Sequence, residues 1–167
     1  MRDVLIEALA LKALPRAGWL RVGVQAPESV AAHSWGVAWL VANLCPAELD
    51  REKALVIALV HDLAEVRVGD ITPHDGLAPD EKDRLEREAF HALVQPMPNA
   101  DELRQAFADY GRTPEGRFVK ACDKLDMALQ AERYSLTHPE TSLQEFVDSA
   151  LTKLQDSELA GLIQRSV

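Results

Sequence analysis

Four side chains that could bind a metal ion interrupt the apolar pattern of this sequence. His61 and Asp62 follow directly on the apolar run Ala54–Val60, where the buried face of a helix would normally continue. A charged aspartate in such a place is costly to bury unless it is paired, hydrogen-bonded or bound to a metal. His33 and Asp123 add a second imidazole and a second carboxylate from distant parts of the chain. Nitrogen and oxygen ligands of these types suit a divalent transition metal.

A further carboxylate follows the histidine–aspartate pair. Glu65 comes four residues after His61 and three after Asp62. If one helix continues through these positions, all three side chains share one of its sides. The spacing therefore predicts an imidazole and two carboxylates converging at one end of a helix.

Each of these residues also has an ordinary structural explanation. An adjacent histidine and aspartate often form a surface cap or a hydrogen-bonded pair. His33 could be a buried histidine with satisfied hydrogen bonds. Asp123, a residue type unfavourable inside a helix, could pair with Lys120 or Lys124.

The elements that must position these side chains are helices. Apolar residues recur at helical spacing along nearly the whole chain, and no strand-like alternation lies between hairpin signals. The pattern predicts an all-α fold of about seven helices in a single domain, residues 1–167. The predicted helices span 2–14, 29–44, 50–69, 79–94, 101–110, 114–137 and a C-terminal part from 139 to 167. Residues 16–29 are expected to form an extended loop, because glycine and proline punctuate them.

Composition and charge narrow the class of protein. The chain has 167 residues, of which 47% are hydrophobic, as in an ordinary globular domain. Its net charge of −9 argues against binding nucleic acid polymers, which requires a basic face, but a local arginine or a metal could still hold a small anion. The longest apolar run is too short to cross a bilayer, and the N-terminus lacks the layout of a signal peptide. We therefore expect a cytoplasmic protein without membrane association, with Cys45 and Cys122 as buried small side chains.

The order His33, His61-Asp62, Asp123 resembles the HD-domain metal-dependent phosphohydrolases, an all-helical superfamily. The surrounding residues resemble its 5′-deoxynucleotidase branch, and the matching motifs lie at 16–19, 27–33, 61–65 with 69–73, and 120–124 with 130–131. Four motifs in this order cover roughly residues 16–134. One departure is Ala32, directly before His33, where the branch often has an acidic residue; this would change a neighbouring contact without removing a ligand.

The resemblance implies a ligand set. His33, His61, Asp62 and Asp123 would hold one divalent metal ion, and Co²⁺, Mn²⁺, Zn²⁺ and Fe²⁺ all suit these donors. The ion would polarise a phosphoryl oxygen and lower the pKa of a coordinated water toward neutrality. Glu65 would orient that water or take its proton.

The resemblance also implies substrate contacts. Arg16 would bind the phosphate through its paired donors, and Trp19 would pack on the sugar from within the loop. Asp70 would help protonate the leaving 5′ oxygen. Asp70 could instead be a turn or cap residue, and Trp19 could instead anchor the loop to the core. Arg21 is a weaker phosphate candidate, and Glu28 is expected to be a structural partner, for example of a nearby arginine.

These features predict a metal-dependent phosphomonoesterase that hydrolyses nucleoside 5′-monophosphates, preferably the deoxy forms, to nucleoside and phosphate. Two alternatives remain open: another nucleotide phosphohydrolase with the same metal site, such as a guanosine-tetraphosphate 3′-pyrophosphohydrolase, and a non-catalytic helical binding module. The resemblance also implies a homodimer. Trp35 and Trp39 are expected in the core or at the dimer contact.

Overall fold

The computed structural model describes residues 1–167 and consists of helices joined by turns. The helices are α1 (Arg2–Ala8), α2 (Ala17–Arg21), α3 (Val30–Leu44), α4 (Arg51–Val60), α5 (Glu65–Val68), α6 (Pro79–Val94), α7 (Ala100–Asp109), α8 (Pro114–Thr137) and α9 (Gln144–Lys153). Single 3₁₀ segments lie at Leu9–Lys12, Pro73–Asp75 and Glu158–Leu162. The all-α prediction is confirmed, with seven helices of seven or more residues and two shorter ones. None of these helices combines the length and the apolar character that crossing a bilayer requires.

The starts of the long helices follow local sequence signals. The side chains of Ser29, Asp50 and Thr113 each accept a hydrogen bond from the backbone N–H three residues further on. These bonds satisfy N–H groups that have no partner within the helix. Pro79 and Pro114 occupy the first turns of α6 and α8, where a missing N–H costs nothing. The predicted beginnings of α3, α4, α6 and α8 are therefore correct.

Helix α8 lies between two hydrophobic clusters and contributes residues to both. One cluster joins α8 to α3, α4, α6 and α7, and the other joins it to α2 and α9. The first contains Val37, Val41, Ile57, Phe90, Val119 and Cys122 among others, and the second contains Trp19, Leu125, Ala128, Leu143, Val147 and Leu154. Helices α3, α4 and α8 pack on one another, so their relative positions are fixed by buried apolar contact.

The predicted loop at residues 16–29 is wrong in part. Residues Ala17–Arg21 form the short helix α2, and Trp19 within it is only 2% exposed. Trp19 packs against Tyr134 of α8 and Phe146 of α9, with ring centroids 5.2 and 4.2 Å away. The helix forms because this indole is buried by distant parts of the chain, which local spacing does not reveal.

The predicted helix at 50–69 is also wrong in part, because the chain leaves the helix at Val60. A turn carries residues 61–64, and α5 begins at Glu65. Within the turn, the N–H groups of Leu63 and Glu65 bond to carbonyls three residues back. Glu65 is therefore separated from His61 by a tighter turn and not by one continuous α-helix.

Three smaller predictions concern the two cysteines, two of the tryptophans and the first helix. Cys45 and Cys122 are buried and unpaired, as expected, and burial raises the pKa of the Cys122 thiol to about 12. Trp35 and Trp39 do not lie in the core: they are 69% and 57% exposed on the outer face of α3. The predicted first helix, 2–14, ends at Ala8 and continues only as a 3₁₀ segment.

Candidate active site

The four predicted metal ligands meet at one point of the fold. His33 comes from α3, His61 and Asp62 come from the turn after α4, and Asp123 comes from the middle of α8. The Nε2 atom of His33 lies 3.3 Å from Asp123 Oδ1 and 3.5 Å from Asp62 Oδ2. The Nε2 atom of His61 lies 3.2 Å from the same Asp62 oxygen. Two imidazoles and two carboxylates from separate elements thus face a common centre.

Both histidines present the same ring nitrogen to this centre. Nδ1 of His61 donates to the carbonyl of Ala58 at 2.8 Å, and Nδ1 of His33 donates to Asp126 Oδ2 at 2.7 Å. The two Nε2 atoms are buried and make no hydrogen bond. Buried polar atoms without a partner are uncommon, and two of them facing two carboxylates are what a divalent cation requires. The donor set therefore fits a metal ion.

Asp123 is held by groups that leave one of its oxygens facing the histidines. The hydroxyl of Tyr110 donates to Oδ2 at 2.6 Å, and Lys124 Nζ lies 3.0 Å from the same atom. Burial tends to raise the pKa of Asp123, but Lys124, His33 and His61 outweigh burial and hold that pKa well below its usual value. The expected Lys124 pair is present, and it does not displace Oδ1 from the centre.

Arg16 lies on the other side of Asp62. Its Nη1 atom is 3.4 Å from Asp62 Oδ2 and 3.8 Å from Asp70 Oδ1, while Nη2 and Nε bond to nothing within the chain. Burial works to lower the pKa of Arg16, but the carboxylates of Asp62, Asp70, Asp123 and Glu65 overcome it and raise that pKa. The guanidinium is therefore always charged and has free donors for an anion.

Glu65 is a buried carboxyl close to other acids. Its Oε2 atom has no hydrogen-bond partner. Burial raises the pKa of Glu65, and the charges of Asp62 and Asp70 raise it further. A carboxyl whose pKa is raised in this way can accept and hold a proton near neutral pH.

Asp70 takes part in holding α2 in place. Its Oδ2 atom accepts the backbone N–H of Ala17 at 2.8 Å, which satisfies a free donor at the start of α2. The capping role expected as the alternative for Asp70 is thus present. The Oδ1 atom, on the side of Arg16, accepts no hydrogen bond within the chain.

Trp19 lies beside the site and is held in place by a hydrogen bond to Glu28. Its Nε1–H donates to Glu28 Oε1 at 3.0 Å, and the backbone N–H of Glu28 donates to the hydroxyl of Tyr134 at 2.7 Å. Glu28 thus has the structural role expected of it, with the indole and not an arginine as its hydrogen-bond partner. Arg21, the weaker phosphate candidate, pairs with Glu145 at 2.7 Å.

A cavity of about 820 Å³ opens onto these residues, a size typical of small-molecule sites. Its lining includes all six candidate site residues that are not histidines: Arg16, Trp19, Asp62, Glu65, Asp70 and Asp123. Of the two histidines, His61 also lines the cavity, whereas His33 lies fully buried behind it. The lining contains seven lysines and arginines and seven carboxylates, although the whole chain carries a net charge of −9. The cavity is thus far less acidic than the rest of the molecule, which suits an anionic ligand.

Two residues that contact the candidate ligands were not assigned from the sequence. Asp126, which holds His33, comes three residues after Asp123, so helical spacing could have placed both on one face of α8. Tyr110, which holds Asp123 and stacks on His61 at 5.2 Å, follows the end of α7 and has no distinguishing sequence signal.

Comparisons with known proteins agree with this geometry. The chain is 37% identical over 158 residues to a human protein named 5′-deoxynucleotidase HDDC2, covering 92% of this chain and 78% of that one. It is 39% identical over 132 residues to 5′-deoxynucleotidase hdd1 of Schizosaccharomyces pombe, covering 74% and 67% of the two chains. A solved structure of a conserved hypothetical protein from Pyrococcus furiosus matches with a TM-score of 0.81 and 36% identity, covering 96% of this chain and 93% of that one.

The family assignment rests on most of the chain and not on the histidine–aspartate pair alone. The sequence model of the HD domain matches residues 8–160, which contain α2 to α9 and all eight candidate site residues. The helical fold, the convergence of the ligands and the relatives all agree with that match. This chain belongs to the HD domain family.

Proposed function

We propose that the protein is a metal-dependent phosphomonoesterase that hydrolyses nucleoside 5′-monophosphates, preferably the deoxy forms, to nucleoside and phosphate. The observation that carries this proposal is the convergence of His33, His61, Asp62 and Asp123 beside the cavity. The names of the human and fission-yeast relatives support the substrate class.

The four converging residues would hold one divalent cation, with Co²⁺, Mn²⁺, Zn²⁺ or Fe²⁺ as candidates. A bound cation of this kind supplies positive charge to a phosphoryl oxygen and makes a nearby water more acidic. The free Nε2 atoms of His33 and His61 are the nitrogen donors, and Asp62 and Asp123 contribute oxygens.

The remaining residues bind the phosphate and move protons. Arg16 donates from Nη2 and Nε to the phosphate oxygens. Glu65, ionised beside a bound cation, would orient the attacking water through Oε2 or take its proton as the new P–O bond forms. Asp70 Oδ1 would assist protonation of the 5′ oxygen by a proton taken up from solvent as the old P–O bond breaks, and Trp19 borders the cavity where the sugar would lie.

Phosphate release from a panel of deoxy and ribo 5′-monophosphates, with Co²⁺ and Mn²⁺ supplied in turn, tests this proposal. We expect turnover with at least one of these metals, faster with deoxy substrates, and loss of turnover in Asp123→Asn. Absence of turnover on every 5′-monophosphate with every metal would contradict it.

The same panel separates the two alternatives. A pyrophosphate product from a 3′-pyrophosphorylated nucleotide would favour the other class of nucleotide phosphohydrolase. A protein that takes up no metal under any loading condition would favour a non-catalytic binding module. The complete set of converging donors supports the enzyme.

We also propose a homodimer that forms through the outer face of α3. Trp35 and Trp39 lie there with parallel rings 6.3 Å apart, and the neighbouring helix α4 exposes Leu59. Large exposed apolar side chains, such as these stacked indoles, are typical of interaction surfaces. Light scattering should give twice the chain mass for the unmodified protein and one chain mass for Trp35→Ser with Trp39→Ser. A monomer at micromolar concentration would contradict the dimer.

The domain and location expected from the sequence remain proposals. Residues 1–167 form one domain, because both hydrophobic clusters depend on α8. A cytoplasmic location agrees with two thiols that form no disulfide. The acidic net charge disfavours nucleic acid polymers as partners, and we propose no membrane contact.

A further inference from the structure

The two histidines of the centre are oriented by different means. His61 is held by the carbonyl of Ala58, three residues earlier in the chain, so its orientation follows from the local backbone. His33 is held by the carboxylate of Asp126, which is 93 residues away on another helix. The direction of the His33 ring therefore depends on a single side chain and on the packing of α3 against α8.

The carboxylate of Asp126 has no other ionic partner. His33 Nδ1 lies 2.7 Å from its Oδ2 atom, and no lysine or arginine pairs with it. A carboxylate can only accept in such a bond, so Nδ1 carries a proton and Nε2 is the atom left to offer its lone pair when the ring binds a metal. Nε2 is the atom that faces Asp62 and Asp123.

Helix α3 has a glycine at the place where this carboxylate lies. Gly36 is buried, and a Cβ atom built on it would lie 2.1 Å from Asp126 Oδ1 and 2.9 Å from its Cγ. No side chain larger than hydrogen fits at position 36 while Asp126 keeps its position. Glycine is otherwise unfavourable in the middle of a helix, so its presence here requires such a reason.

We infer that Asp126, with the space left by Gly36, is the positioning residue that fixes the ring of His33 for metal binding. This inference rests on the proposed metal centre and adds to it a residue that touches neither metal nor substrate. Partners that hold the far nitrogen of a metal-binding histidine typically change metal affinity about 10- to 100-fold when they are removed.

The experiment measures the binding of Mn²⁺ and Co²⁺ by calorimetry for the unmodified protein, Asp126→Asn and Asp126→Ala. We expect both variants to bind about 10- to 100-fold more weakly. The visible absorption of bound Co²⁺ should also change, because it depends on ligand geometry and a general loss of stability does not alter it. Circular dichroism confirms that each variant is folded.

Glu28→Gln is the matched control for charge. Glu28, His33 and Asp126 have their nearest ligand atoms within 4.8 Å of one another, but no hydrogen bond joins Glu28 to His33. Removing this carboxylate changes the nearby charge without releasing the ring. It should therefore weaken metal binding much less than Asp126→Asn, and an equal effect would overturn the inference in favour of charge alone.

Gly36→Ala tests the same contact from the other helix. The added methyl group should push the Asp126 carboxylate aside and weaken metal binding to a similar extent as Asp126→Ala. In the Asp126→Ala background it should have little further effect, because the clashing group is gone. Independent, multiplicative effects of the two substitutions would contradict the inference.

The possible failures point to different conclusions. If the unmodified protein takes up no metal, the proposed function and the inference both fail. If it binds metal and the Asp126 variants bind equally well with an unchanged Co²⁺ spectrum, the inference alone is wrong.

Discussion

The proposed metal-binding side and the proposed substrate side of the cavity are built differently. His33 and Asp123 lie within long helices, and His61 and Asp62 directly follow a third, in a region where α3, α4 and α8 are packed by large apolar clusters. The substrate side consists of a five-residue helix and a loop, held by the packing of Trp19 and by the hydrogen bonds from Ala17 to Asp70 and from Trp19 to Glu28. The first side should therefore keep its structure when a polar group is removed, and the second should not.

Asp62→Asn should show the largest effect on activity and little effect on folding. The change removes a metal donor, so we expect activity to fall at least about 10³-fold, equivalent to about 4 kcal/mol of transition-state stabilisation. It also removes the ion pair with Arg16, but apolar packing of α3, α4 and α8 holds this side, so the melting temperature should not fall by more than a few degrees. Initial rates, metal content and thermal melting measure these effects, with the exposed Asp80→Asn as the control. A variant that unfolds would contradict the proposed rigidity of this side.

Arg16→Gln should separate substrate binding from metal binding. Loss of charged hydrogen bonds to phosphate should lower kcat/KM by about 10- to 100-fold. Metal affinity should stay the same or increase, because a positive charge 3.4 Å from Asp62 is removed. Steady-state kinetics on this variant gives kcat/KM, and calorimetry gives its metal affinity. Weaker metal binding would show that Arg16 belongs to the metal side.

Trp19→Phe should destabilise the substrate side. The replacement keeps most of the buried ring but leaves Glu28 Oε1 without its donor, which should lower the free energy of unfolding by about 1–3 kcal/mol. Urea denaturation measures this loss. Glu28→Gln, which keeps an acceptor oxygen for the indole, should cost less. A loss in Trp19→Phe no larger than that in Glu28→Gln would contradict this role of the indole hydrogen bond.

The junction between α4 and α7 should make a smaller, pH-dependent contribution to the metal side. Asp109 lies 2.8 Å from Lys53 Nζ and accepts from Gln105 at 2.7 Å. Burial tends to raise the pKa of Asp109, but Lys53 and Gln105 lower it below its usual value of 3.8. A carboxylate with a lowered folded pKa stabilises the fold above its unfolded pKa, and this stabilisation is lost as pH falls through the folded pKa.

Asp109→Asn should therefore lower the melting temperature slightly at pH 7. Below about pH 4, the melting temperatures of the variant and the unmodified protein should lie closer together. Thermal melting between pH 3 and pH 7 measures both values. A constant difference across this range would show that the ion pair contributes nothing.

The parts of the structure that could be predicted from sequence are those determined by nearby residues. The starts of α3, α4 and α8 follow from Ser29, Asp50 and Thr113, whose side chains cap the helices that they precede. The candidate ligands stood out because polar residues occurred in helices that otherwise show an apolar pattern. Spacing placed His61 and Asp62 together, and the resemblance to the family implied that His33 and Asp123 join them.

The parts that could not be predicted depend on distant contacts. Helix α2 exists because Tyr134 and Phe146 cover Trp19, and the break after Val60 is invisible in an apolar run that continues to Ala64 except at His61 and Asp62. The role of Tyr110 depends on the way α7 meets α8, which no local pattern encodes.

The placement of the three tryptophans gives the protein a built-in optical probe. Trp35 and Trp39 face solvent, whereas Trp19 is enclosed beside the cavity. With the two outer indoles changed to phenylalanine, all tryptophan emission would come from position 19. Stopped-flow fluorescence could then follow ligand entry on the millisecond scale without any attached dye.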